Sequence, residues 1–134
     1  MSNRHSVTAP TGYSIDGSVL VIEDEMVVMF IIEDNLVDLG CKRISCASTT
    51  VEAEALIDSH AFDGAVLDLN LGGQSSEPVA RLLVQKGIPF FFCTGHGDEQ
   101  IPGFTQSVLR KPFSRDEFTV ELSKILPNDE LQIV

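Results

Sequence analysis

Ala65-Val66-Leu67 is an apolar run without alternation, and an acid, Asp68, ends it. A strand of that pattern is covered on both faces, which places it inside a parallel sheet flanked by helices. Ser18 to Ile22 and Phe90 to Cys93 repeat the pattern. Gly72-Gly73 forces a turn soon after Asp68, so this acid stands where a buried strand meets a loop. Open α/β sheets carry their chemistry at that end of their strands. A bare loop-capping role for Asp68 is the competing reading.

The stretches between these runs have helical spacing. Met26 to Leu39 puts Val28, Ile32, Leu36 and Leu39 on one face and Met26, Phe30 and Val37 on roughly the opposite side, and Gly40 stops it. The second stripe is either covered by the chain itself or a docking face for a partner helix. Cys41 to Ala47 is a more polar, edge-like strand. Thr49 and Glu52 have capping-box spacing and open a helix to about His60, with Val51, Ala55 and Leu56 inward. A third helix starts at Ser75 or Ser76, with Pro78 in its first turn, and ends at Gly87. Pro102-Gly103 interrupts the next helical stretch, 98–106, leaving one or two turns at most. Ser107 to Arg110 is a fifth strand, followed by Lys111-Pro112. Ser114 and Glu117 box the start of a last helix, with Phe118, Leu122 and Leu126 inward.

Strands alternating with helices predict an α/β fold, a doubly wound five-stranded parallel sheet of order 2-1-3-4-5 with a short or disordered fourth helix. The expected organisation is a polar arm over 1–17, one domain over 18–126 and a tail over 127–134. At 134 residues and 43% hydrophobic, the chain has room for one domain with a real core. Its net charge of −11 argues against nucleic acid as a partner. Cys41, Cys46 and Cys93 lack metal-site spacing and read as buried reduced thiols, which fits a cytoplasmic protein. The longest apolar run, Met26 to Ile32, falls far short of a membrane span.

The polar residues at the strand exits form a set: Glu23 and Asp24 after the first, Asp68 after the third, Thr94 after the fourth and Lys111 after the fifth. In the order 2-1-3-4-5 these four strands are contiguous, so the groups meet at one edge. Several carboxylates with little basic compensation suit a hard cation such as Mg²⁺. Lys111 and Thr94 suit phosphoryl oxygens. Asp68 is then the nucleophile, since a carboxylate can accept a phosphoryl group.

Val21-Ile22-Glu23-Asp24-Glu25, Leu67-Asp68-Leu69-Asn70-Leu71, Thr94-Gly95 and Lys111-Pro112-Phe113 together resemble the response-regulator receiver domain of two-component systems. The resemblance covers about residues 18–126. It implies that Asp68 is phosphorylated by a histidine kinase or a phosphotransfer protein. It implies that Glu23, Asp24 and Asp68, with the backbone carbonyl of Asn70, hold Mg²⁺, that Thr94 and Lys111 bind the phosphoryl group, and that the Lys111-Pro112 bond is cis. Asn70 and His96, two positions after Asp68 and Thr94, would tune the lifetime of the phosphoryl group. The aromatic switch residue of the family is replaced by Val108.

With Phe92-Cys93-Thr94-Gly95-His96, the chain is similar to the FATGUY group of stand-alone receivers, which lack an output domain and pair with kinases of the HWE/HisKA2 type. Cys93 stands where that group has alanine. A kinase would dock on Met26, Phe30 and Val37. A receiver-like module that binds proteins without phosphorylation is the alternative. A phosphatase of the haloacid-dehalogenase type would want an acid where Asn70 stands. A flavodoxin-like nucleotide binder would want a phosphate loop in place of Glu23-Asp24-Glu25.

Overall fold

A computed structural model of the chain describes residues 17–95 and 101–126. The expected arm and tail, the irregular segment's first residues and His96 lie outside the described residues. The elements are β1 (Ser18–Ile22), α1 (Met26–Asp38), β2 (Arg43–Ala47), α2 (Thr50–Ser59), β3 (Gly64–Asp68), β4 (Asn70–Leu71), β5 (Gln74–Ser75), α3 (Glu77–Gln85), β6 (Phe90–Thr94), β7 (Val108–Arg110) and α4 (Arg115–Ile125).

Five strands form one sheet of order β2-β1-β3-β6-β7, all parallel. This is the predicted doubly wound fold. β3 and β6 are buried along their whole length, as their unalternating sequences require. One sheet face carries Leu20, Ile22, Leu67 and Phe92 against Ala53 and Ile57 of α2 and Val79 and Leu83 of α3. The other carries Val19, Val21, Val66 and Phe91 against Ile32 and Leu36 of α1 and Phe118 and Leu122 of α4. Burying such side chains contributes about 1.5–3 kcal/mol each, so both layers are needed to hold the sheet.

Local signals set most of the element boundaries. Ser114 accepts from the Glu117 amide and Glu117 reaches back to the Ser114 amide, closing the predicted capping box of α4. Thr49 caps α2, but Glu52 reaches one residue further back, to Ser48. Pro78 lies in the first turn of α3.

Three expectations change. In α2, Ala53 and Ile57 face the core and Leu56 is half-buried, whereas Val51 is 74% exposed and Ala55 is also exposed. Val51 lies two residues before Ala53, about 200° round the helix, so both cannot point inward. The second strand starts at Arg43 rather than Cys41, and as an edge strand it leaves Cys46 exposed. The exit of β3 is not a plain loop: β4 and β5 pair as a small antiparallel hairpin, turned by Gly72 and Gly73 at φ +59° and +86°. Two successive positive φ values are what a tight hairpin turn needs, and glycine supplies them without strain. Pro102-Gly103 predicts a short or disordered fourth helix, and residues 101–107 indeed form no helix; Ile101 and Phe104 lay their side chains on the sheet beside α3.

Candidate functional site

The strand order brings the exit residues together. Ile22 pairs with Leu67, Asp68 with Cys93, and Thr94 with Arg110. The next residues along, Glu23 and Lys111, therefore flank Asp68 from the two sides. The Lys111 amide donates to the Thr94 carbonyl at 2.8 Å, which ties the fifth strand's exit to the fourth's. The Lys111-Pro112 bond is cis.

The Lys111 ammonium sits among three carboxylates. Nζ lies 3.0 Å from Glu23 Oε1, 3.1 Å from Glu25 Oε1 and 3.3 Å from Asp68 Oδ2. Glu23 and Asp68 are buried, at 1% and 5% exposure, and Glu25 reaches in from the surface. Glu23 Oε2 accepts from the Glu25 amide at 3.1 Å, and Asp68 Oδ1 accepts from the Asn70 amide at 3.2 Å. Thr94 is buried at the same sheet edge.

Burial pushes the Glu23 carboxyl up from 4.5 to about 7, and a hydrogen bond with the Asp68 carboxyl adds to the rise, while Lys111 pulls the other way. For Lys111, burial opposes the charge, yet hydrogen bonding to Glu23 and the charge of Asp68 outweigh it and hold the ammonium above its ordinary range. Burial pushes the Cys93 thiol far up, so this thiol beside Asp68 is neutral.

Oxygens of Glu23, Glu25 and Asp68 lie within 4.8 Å of one another. Glu23 Oε1, though close to Nζ, has no well-directed hydrogen bond and is buried. A compact set of hard oxygens with one unsatisfied buried member fits a hard divalent cation. Asp24 is not in this set. Its Oδ2 accepts from the Gly72 amide at 2.9 Å, so it pins the hairpin instead. Asn70 also turns away from Asp68: its side-chain oxygen accepts from the Gly73 amide at 2.8 Å and braces the turn. Val108, at the switch position, is 37% exposed beside Phe92.

Sequence reasoning missed two of these arrangements. In the sequence Glu25 is one of three successive acids, and its place immediately before α1 is the one signal of a separate job. The pairing of Asp24 with Gly72, 48 residues away, has no local signature.

A parallel 2-1-3-4-5 sheet with Glu23, Glu25 and Lys111 gathered at Asp68 and Thr94 buried at the same edge defines a receiver-type signalling module. The sequence pattern of the response regulator receiver domain matches residues 19–123, and the chain belongs to that family. The solution structure of SdrG from Sphingomonas melonis Fr1 is 34% identical, with a TM-score of 0.73 over 87% of this chain and 98% of that one. The response regulator PhyR from Brucella abortus shares the fold at 24% identity and a TM-score of 0.75, over 86% of this chain and 49% of that one. The receiver domain of a sensor histidine kinase from Pseudomonas aeruginosa PAO1, with a magnesium ion coordinated in its active-site cleft, shares the fold at 20% identity and a TM-score of 0.71, over 84% of this chain and 98% of that one. A curated relative, the transcriptional regulatory protein YvrH of Bacillus subtilis (strain 168), is 26% identical over 113 residues, 80% of this chain; the chain spans about half its length, 48%. No helix among the described residues is long and apolar enough to cross a membrane.

Proposed function

We propose that this receiver accepts a phosphoryl group on Asp68 and signals through protein contacts or passes the group on. The observation that carries the reading is the buried Asp68 carboxylate facing the Lys111 ammonium at 3.3 Å, beside buried Glu23. The donor is a phosphohistidine on a kinase, of the HWE/HisKA2 type, or on a phosphotransfer protein. An Asp68 carboxylate oxygen forms a bond to phosphorus, and the bond from phosphorus to the donor breaks with its electron pair leaving on the donor. Lys111 faces the transferring oxygens and offsets their charge. The buried Thr94 hydroxyl donates to the same group.

Glu23, Asp24 and Asp68, with the carbonyl of Asn70, would hold Mg²⁺ in this reading; a carboxylate has two oxygens, so Asp24 could ligate through one while the other keeps the Gly72 amide. Bound, the cation would offset carboxylate and phosphoryl charge so that an anion can approach. The magnesium in the active-site cleft of the P. aeruginosa receiver supports a divalent cation at this sheet edge. Asn70 and His96 tune hydrolysis of the aspartyl-phosphate, Asn70 only after leaving the Gly73 amide. The kinase docks on α1, where Met26, Phe30 and Val37 are 56%, 62% and 54% exposed. The protein works in the cytoplasm.

Labelling with a small phosphodonor and Mg²⁺ tests the site. Wild type should take one phosphoryl group and Asp68→Asn none. Equal labelling of both would remove Asp68 from the chemistry and favour a binding module that works without phosphorylation.

A further inference from the structure

Of the three acids around Lys111 among the described residues, one, Glu25, is free to leave. Glu23 and Asp68 are locked in the sheet edge, while the Glu25 side chain is 63% exposed. Its backbone is fixed all the same, because its amide donates to Glu23 Oε2 and its carbonyl accepts from the Met29 amide at 2.9 Å. Glu25 also occupies the residue just before α1, where Ser, Thr, Asp or Asn would cap the helix. Its side chain makes no cap hydrogen bond and reaches for the Lys111 Nζ at 3.1 Å instead. The first turn of α1 holds no acid to compensate. A helix cap has been forgone and the side chain committed to a lysine 86 positions on.

We infer that Glu25 is a positioning residue: it tethers the Lys111 ammonium at the mouth of the carboxylate pocket while Asp68 is unmodified, and so slows phosphoryl transfer. The inference rests on the phosphoacceptor reading for the second half of that statement only. During transfer the ammonium is wanted by the phosphoryl oxygens, and Glu25 competes for it. It also adds negative charge where an anionic donor must approach. Both effects act against the forward step, and rotation of Glu25 into water relieves both.

The test uses the full chain with Glu25→Gln and Glu25→Ser. In unmodified protein, the side-chain NMR signals of Lys111 should shift and its Nζ protons exchange faster in both variants, with the amide spectrum otherwise unchanged away from residues 23–26 and 111. With acetyl phosphate and Mg²⁺, both should label about threefold faster than wild type, the size expected for losing one exposed ion pair. Glu25→Ser should in addition melt higher than Glu25→Gln, because serine restores the cap. Unchanged Lys111 signals in both variants overturn the tether. Shifted Lys111 signals with labelling equal to or slower than wild type overturn its braking role. If wild type takes no label, the phosphoacceptor reading fails, and the Lys111 signals decide the tether by themselves.

Discussion

The exits of β3 and β6 lie side by side, yet they are held in different ways. After β3, polar bonds do the work. Ser76 is fully buried and donates its hydroxyl to the Leu69 carbonyl at 3.0 Å, Asp24 holds Gly72, and Asn70 holds Gly73. After β6, the described residues 101–107 lie over the sheet without helical structure. That cover rests on the Phe104 ring set edge-on to Phe92, 6.0 Å between centroids, and on half-buried Ile101. Among the described residues its backbone bonds are a long one within the segment, Phe104 to Ile101 at 3.3 Å, and one at its end, where the Ser107 carbonyl accepts from the Phe92 amide at 2.9 Å. Directional bonds fix a position; two half-buried side chains on a flat sheet fix much less. Glu23, Asp68 and Lys111 are thus set against a polar-braced wall on one side and an apolar-packed cover, anchored at Ser107, on the other. A change at Asp68 would more readily reach the surface through the cover.

The comparison can be broken in four ways. Phe92→Ala removes a ring buried in the sheet and should cost about 4 kcal/mol in urea unfolding. If Phe104→Ala costs as much, the cover is part of the core and the contrast fails.

The next effect is pH-dependent. Glu23 keeps its proton in the folded protein up to about 7, against an ordinary 4.5. A raised carboxyl contributes stability that is present below its unfolded value and lost as pH rises through the folded one. Without divalent ions, wild type should therefore lose at most about 3 kcal/mol relative to Glu23→Gln between pH 4.5 and about pH 8. A constant difference across that range would show that Glu23 titrates in the folded protein as it does in the unfolded chain.

Gly72→Val places a branched side chain at φ +59° and disturbs the Asp24 anchor, and should cost about 2 kcal/mol. A neutral result would mean the hairpin is not braced. Phe104→Ala itself should cost only about 1 kcal/mol, since its ring is half exposed in a loose cover. Amide exchange should agree, faster over 101–106 than in α3; equal protection would put both regions in one cooperative unit.

Much of the fold was legible because its signals are short-range. Unalternating runs named the buried strands, and Ser114 with Glu117 marked a helix start to the residue. The interruption at Pro102-Gly103 foretold the irregular stretch over 101–107, because proline and glycine act locally. Phasing failed in α2, where Val51 and Ala55 are apolar but the core is reached by Ala53 and Ile57. A sparse apolar pattern allows more than one rotation, and packing against the sheet chooses among them. The thiol of Cys46 was misjudged for a related reason: burial in a strand depends on whether a neighbour covers it.

At the site, the sequence by itself determined which chemistry was available: acids after the first and third strands, a hydroxyl after the fourth, a lysine after the fifth. Residue type and strand-end position carry that information without any partner. Only the tertiary structure decided who meets whom. Lys111 reaches Glu23 across 88 residues because β1 and β7 flank the β3–β6 pair. Within the run 23–25, neighbours in sequence point to three different places: Glu23 into the pocket, Asp24 to the Gly72 amide, Glu25 to the Lys111 ammonium. Side-chain direction follows from backbone geometry and from which donor lies nearest, and those donors come from distant strands that only the folded sheet brings within reach.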